Sequence, residues 1–304
     1  MYRRGRISLR ARFTRFAFRR VMKRSQRHLA VADIRRGFET SERLTPPPPR
    51  GTATRRVNAG GVPGDLITTP RSRPDRNLLY LHGGAYAFGS PRLYRHFTWR
   101  MADAARARVL IIDYRLAPEH PFPAALEDAV TAWLWLLDTG AAPAGMAMAG
   151  DSAGGGLTFA AMLKLRDDGL PLPAAAVTMS PWTDLALTGE AMRSNAEADP
   201  MLVAEDVPRF AEFYLAGADA RQPYASPLYG DPRGLPPTLI QAGSDEILRD
   251  DAVRMAERMR AAGCEVELQV WPKMVHAWQL LAPVLPEARE AIEEIARFFA
   301  ARLA

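Results

Sequence analysis

Beyond residue 50, short apolar runs alternate with longer segments in which apolar residues recur every three or four positions. NLLYLHGG (77–84), VLIIDYRLAP (109–118), GMAMAGD (145–151), AAAVTMSPW (174–182), PTLIQAGSD (237–245) and EVELQVW (265–271) each run into turn residues or a polar loop, as buried strands do. PRLYRHFTWRMADAARA (91–107) suits a helix. Pro123 opens another, in which Leu126, Val130, Trp133, Leu134 and Leu137 share one face. LTFAAMLKLRDDG (157–169) and DDAVRMAERMRAAG (250–263) are helices with a glycine stop, and PEAREAIEEIARFFAARL (286–303) closes the chain with Ile292, Ile295, Phe299 and Leu303 on one side. Strands alternating with helices predict an α/β fold, a mostly parallel sheet with helices on both faces. In such sheets the carboxyl ends of the strands gather at one edge, where function is expected.

Two stretches break the alternation. Residues 185–229 contain ADPMLVAEDVPRFAEFYLAG, one or two helices with no strand of their own, well placed for a cap beside the strand ends. Residues 1–56 hold 16 Arg and Lys23 against Asp33, Glu39 and Glu42, an excess of 14 positive charges. The other 248 residues therefore carry −8 within the total of +6. The proline patch 46–49 separates this arm from the body, giving a division into a basic arm with part of the cap (1–56) and a main domain (57–304).

In the arm, RISLRARFTRFAFRRVMKR sets Ile7, Leu9, Phe13, Phe16 and Phe18 among arginines, a basic amphipathic helix. The favoured reading packs its aromatic side on the main domain. A membrane-surface anchor through residues 1–24, a nucleic-acid arm and a removed targeting segment are the alternatives. No nucleic-acid motif accompanies the charge, so no nucleic-acid partner is expected. The absence of an apolar core with a small-residue cleavage site argues against a secretory signal. The most apolar window is broken by Asp138, Gly140 and Pro143 and fails as a membrane span. The single cysteine, Cys264, excludes an internal disulfide and fits a reducing, cytoplasmic compartment.

The chemistry centres on Gly150-Asp151-Ser152-Ala153-Gly154, a G-x-S-x-G pentapeptide between a strand and a helix. A serine nucleophile on so tight a turn needs neighbours without bulk, and it needs a base and an acid that orients the base. On this fold the order is Ser, then Asp or Glu, then His. Of His28, His82, His96, His120 and His276, only His276 follows Ser152. The acid is expected after the preceding strand, at Asp245, with Glu246 second. Asp250 and Asp251 read as helix-capping carboxylates, and Asp184 lies one strand too early. The oxyanion donors are expected from the amides of Gly83, Gly84 and Ala153, with that of Ala85 as a further donor. No metal or organic cofactor is required, and no Cys/His spacing suggests one.

HGGAY, DYRLAPEHPFPAALEDA, GDSAGG, SPWTDL, DPML, GSDEIL and VHAW together resemble the hormone-sensitive-lipase-like esterases, bacterial α/β-hydrolases with a helical cap, over roughly residues 37–300. The resemblance implies hydrolysis of short- to medium-chain carboxylic esters, acetyl esters and lactones included, through an acyl-enzyme. It also implies a cap made of the N-terminal segment and the inserted helices; relatives are often dimers, so a homodimer stays open. Ala85 stands at the family's usual third glycine and Glu246 where many members have proline. Both features occur in the subset of acetyl and ε-lactone hydrolases. The alternatives are an amidase using the same residues, and a binding protein such as the gibberellin receptor, which shares the fold but lacks the catalytic histidine.

Overall fold

The computed structural model describes residues 7–25, 29–45 and 47–304; residues 1–6 and His28 lie outside it. An eight-stranded sheet runs in the order β1 (Ala53–Ala59), β2 (Val62–Thr68), β4 (Ala107–Ile112), β3 (Arg73–Leu81), β5 (Met146–Asp151), β6 (Ala175–Met179), β7 (Thr238–Gly243) and β8 (Val266–Trp271). β1 and β2 are antiparallel, β2 runs antiparallel to β4, and all other pairs are parallel. The six strands expected from their apolar runs are the six that form the parallel part.

The β1–β2 hairpin is the addition. Five of its first six positions are exposed, so no apolar run betrays it. Its signal is the Gly60-Gly61 pair, both at positive φ, between residues 59 and 62, which are paired across the turn.

The two faces of the sheet divide β3 residue by residue, as the two-residue strand period requires. Leu79 and Leu81 join a core with Trp133 of α4 (Ala124–Asp138), Leu157 of α5 (Ala153–Asp167) and Met255 of α8 (Arg249–Ala261). Leu78 and Tyr80 join another with Phe97 of α3 (Arg95–Ala105) and Ile295 and Phe299 of α9 (Pro286–Ala300). α4 is rotated slightly from its expected face: Ala125, Ala129, Ala132 and Trp133 are buried, and Val130, Leu134 and Leu137 are half-buried. Small alanines let the helix axis approach the sheet more closely than a leucine stripe would.

Two short helices, α6 (Ala191–Ser194) and α7 (Val207–Leu215), fill the interval between β6 and β7. The arm forms α1 (Leu9–Ser25) and α2 (Val31–Leu44). No helix among the described residues is long and apolar enough to cross a membrane.

Candidate active site

β5 delivers Ser152 to the carboxyl edge of the sheet and α5 begins at the next residue. Between them Ser152 adopts φ 53° and ψ −124°, a conformation that a residue with a side chain holds only at a cost of about 1–3 kcal/mol. The turn is fixed by backbone bonds. The Ser152 amide donates to the Met179 carbonyl at 2.9 Å, and its carbonyl accepts from Gly156 at 3.1 Å and Trp182 at 2.9 Å. The glycines follow from contact distances: a Cβ on Gly150 would lie 2.2 Å from the Gly154 carbonyl oxygen, and one on Gly154 would lie 2.0 Å from that of Leu81. The half-buried Ser152 hydroxyl, which has no hydrogen-bond partner among the described residues, faces a cavity of about 80 Å³.

Asp151, the variable residue of the pentapeptide, ties this turn to the HGGAY loop. Buried at the sheet edge, it accepts hydrogen bonds from the hydroxyls of Tyr80 (2.7 Å) and Tyr94 (2.8 Å) and from the amide of Gly83 (3.1 Å). That last bond corrects the expectation for Gly83. Its N–H, which also donates to the Tyr94 hydroxyl at 3.0 Å, is turned inward and spoken for. The amides of Gly84, Ala85 and Ala153 have no acceptor among the described residues and remain as donors. Ala85 sits at φ 51° and Tyr86 at φ 59°. The third position of the loop, where relatives usually have glycine, thus takes a left-handed backbone with alanine in place. Alanine takes a left-handed backbone at a cost of about 1–2 kcal/mol, offset by the buried Tyr86 ring stacked on Tyr214 at 3.7 Å. His82 braces the same loop. Burial drops its pKa to about 4, so the neutral ring donates from Nδ1 to the Gly83 carbonyl at 2.7 Å while stacking on Tyr114.

The carboxylate beside His276 is Glu246. Its Oε2 lies 2.8 Å from His276 Nδ1, both side chains being almost wholly buried. Its Oε1 accepts from the Ser180 hydroxyl at 2.8 Å and the Gly243 amide at 2.5 Å. Ser180 in turn accepts the Ala277 amide at 3.0 Å, so one hydroxyl joins the two loops. Burial works against a charged imidazole, but the hydrogen bond and charge of Glu246, with Asp199 and Asp151 behind them, outweigh it and hold the His276 pKa above its ordinary value. The serine turn and the imidazole are linked through one strand end: the Ser152 amide bonds the Met179 carbonyl, and the next residue, Ser180, bonds Glu246 and the amide that follows His276.

Asp245, the acid expected from the sequence, does not reach His276. Adjacent residues on the turn after β7 project in opposite directions, Glu246 inward and Asp245 to the rim. There Asp245 accepts from the Ser244 hydroxyl and from Arg15 of α1, both at 2.7 Å.

A family model of the alpha/beta hydrolase fold matches residues 78–280. An acetyl-hydrolase of Streptomyces hygroscopicus is 49% identical over 250 residues, 79% of this chain and 84% of its own. An esterase of Acinetobacter venetianus is 34% identical over 275 residues, 90% of each chain. The crystal structure of an esterase from the bacterial hormone-sensitive lipase family superposes with a TM-score of 0.93 at 43% identity, covering 99% of this chain and 100% of that one. The chain belongs to the hormone-sensitive-lipase-like esterases of the α/β-hydrolase fold.

In this esterase the other sequence candidates are structural. Asp250 and Asp251 do not cap α8. Asp250 accepts the Ala191 amide at 2.8 Å, and buried Asp251 accepts the amides of Thr183 (2.7 Å) and Asp184 (2.8 Å). Asp184 binds Thr188, Tyr229 and Arg254. These bonds tie the start of the segment between β6 and β7 to α8, and through Tyr229 to the segment's far end.

Burial and the neighbouring Asp184 push the Asp251 pKa up to about 8. An acid whose folded pKa is raised favours the fold fully below its unfolded pKa, and that contribution is lost as pH rises to the folded value. The Tm advantage of Asp251→Asn over the wild type is therefore expected to grow from about pH 4 to pH 8 and then level off. A flat difference across thermal melts in that range contradicts the assignment.

The cavity at Ser152 draws its walls from several elements of the esterase. Ala85, Trp182 and Leu248 come from the sheet-edge loops, Ile34 from α2, and Val207 and Phe210 from α7. α1 lies outside this chamber. Ala11 is buried in a cluster with Trp271, Met274, Val275 and Trp278, against which Ile7 and Phe18 pack. Ser8 bonds Glu287 through its amide at 2.6 Å. Arg15 reaches the Lys273 carbonyl at 2.8 Å besides Asp245, and so touches both loops that carry Glu246 and His276. No group of three or more His, Cys, Asp or Glu among the described residues is arranged to hold a metal ion.

Proposed function

We propose that the esterase cleaves short-chain carboxylic esters, acetyl esters foremost, through an acyl-enzyme on Ser152, with His276 as base and Glu246 as its orienting acid. His276 takes the Ser152 proton as the hydroxyl attacks the carbonyl carbon. The amides of Gly84, Ala85 and Ala153 receive the charge that develops on the carbonyl oxygen. The imidazolium returns its proton to the departing alcohol, and water activated by the same imidazole releases the acid. Ser152 and His276 share no hydrogen bond among the described residues, and that bond forms when substrate fills the site, as catalytic hydrogen bonds that are long in the free enzyme commonly do.

The observation that carries this reading is the buried Glu246–His276 pair set beside a strained serine turn that opens into an apolar chamber. Supporting the acyl preference, that chamber of about 80 Å³ is far smaller than the roughly 300 Å³ or more that drug-sized ligands occupy. α2, α6 and α7 would form the cap over it.

A series of p-nitrophenyl esters of rising chain length, with ε-lactones alongside and Ser152→Ala protein as blank, tests the proposal. Acetate and butyrate are expected to give the highest kcat/KM, with a fall of about tenfold or more at longer chains. A maximum at long chains removes the acyl preference, and no turnover of any ester removes the activity.

A further inference from the structure

We infer that the outward face of α1 is a docking surface for an anionic phospholipid membrane. One side of this helix is fastened to the body, through Ile7, Ala11, Arg15 and Phe18. The other side is a ridge of Leu9, Phe13 and Phe16, exposed by 80%, 71% and 56%. At 100° per residue, Leu9, Phe13 and Phe16 fall within one narrow stripe, opposite Ala11 and Phe18. Val284, 52% exposed, stands close by, its carbonyl within 3.5 Å of an Arg10 guanidinium nitrogen. Such a concentration of large apolar side chains on one surface helix marks a place that something covers.

The charge identifies the cover. The helix sequence LRARFTRFAFRRVMKRS contains no acidic residue. Exposed Arg10 and Arg12 flank the stripe, and the Arg20 guanidinium lies 4.9 Å from the Phe16 ring, over its face. An apolar ridge bordered by arginines is the arrangement that sinks Leu and Phe between acyl chains while the guanidinium groups stay at phosphate level. Anionic headgroups add attraction for each arginine near the surface. A second copy meeting this face with its own α1 would set arginine against arginine. A nucleic acid would bring its phosphates onto the Leu9–Phe13–Phe16 ridge before reaching the charges.

The place of the surface matters as much as its chemistry. Arg15 and Arg19 on the same helix contact Asp245, Lys273, Glu197 and Ala198 at the rim of the sheet edge. The helix that carries the ridge is thus fastened to the two loops that hold Glu246 and His276.

Sedimentation with phosphatidylcholine vesicles, with and without phosphatidylglycerol, tests the inference on the full chain. The wild type is expected to bind the phosphatidylglycerol vesicles about tenfold or more tightly than phosphatidylcholine alone, the difference shrinking at high salt. Replacing Leu9, Phe13 and Phe16 together by serine is expected to weaken that binding by about a hundredfold, leaving the Tm and the hydrolysis of a soluble ester unchanged. The inference is overturned if the wild type stays in the supernatant or if the triple variant binds as well. It is equally overturned if the triple substitution instead dissolves a dimer of the vesicle-free protein, or if duplex DNA is bound and vesicles are not.

Discussion

Ser152→Ala is expected to lower kcat on a soluble ester by about four to six orders of magnitude while leaving the Tm within a few degrees of the wild type. In the proposed mechanism the size follows from the loss of the only atom that bonds to the acyl group: with no nucleophile, His276 and Glu246 would have nothing to activate, leaving binding and the oxyanion donors. The fold is spared for local reasons. The Ser152 hydroxyl has no hydrogen-bond partner among the described residues, so its removal orphans nothing. The strain of φ 53° is borne by a backbone that alanine shares. Stopped assays with purified variant, corrected for wild-type carry-over, provide the measurement. Turnover within tenfold of the wild type would remove Ser152 from the mechanism.

Glu246→Gln is expected to cost about four orders of magnitude in kcat, and Asp245→Asn less than about tenfold. A glutamine amide facing His276 Nδ1 no longer accepts its proton, so the imidazole turns to the tautomer that has no lone pair for the serine. Asp245→Asn loses only a rim ion pair with Arg15, both side chains about one-fifth exposed. The pH profile separates the two further. His276 must be neutral to act as base, and Glu246 holds its pKa above the ordinary 6.5. The acid limb of kcat/KM in the wild type is therefore expected to have its midpoint above pH 6.5, and in Glu246→Gln the midpoint moves down. If Asp245→Asn is the crippled variant and its acid limb, not that of Glu246→Gln, is the one that moves down, the orienting acid is Asp245 after all.

Much of the architecture was legible along the chain because parallel strands are buried on both sides and read as unbroken apolar runs. The β1–β2 hairpin was not, because β1 is an exposed edge strand written mostly in polar residues and β2 is broken by Pro63, Gly64 and Asp65, leaving the Gly60-Gly61 turn as the signal. The capping role expected of Asp250 and Asp251 failed for a tertiary reason. The segment between β6 and β7 offers them unpaired amides at Ala191, Thr183 and Asp184, and these bonds win over the helix end.

At the arm, the amphipathic pattern was visible, but the face that packs was misassigned. A helix with apolar residues on two sides can dock by either, and the small Ala11 with Ile7 and Phe18 fits the Trp271–Trp278 surface, leaving Leu9, Phe13 and Phe16 outside.

The sequence by itself determined the strand–helix order, the serine turn and the single histidine downstream of it, because each of these depends on local spacing and chain order alone. Only the tertiary structure decided between two neighbouring carboxylates, between three neighbouring loop amides, and between two faces of one helix. Adjacent residues share composition and position but point in different directions, and direction is set by what lies across the fold: Ser180 and His276 for Glu246, Arg15 for Asp245, Asp151 for Gly83.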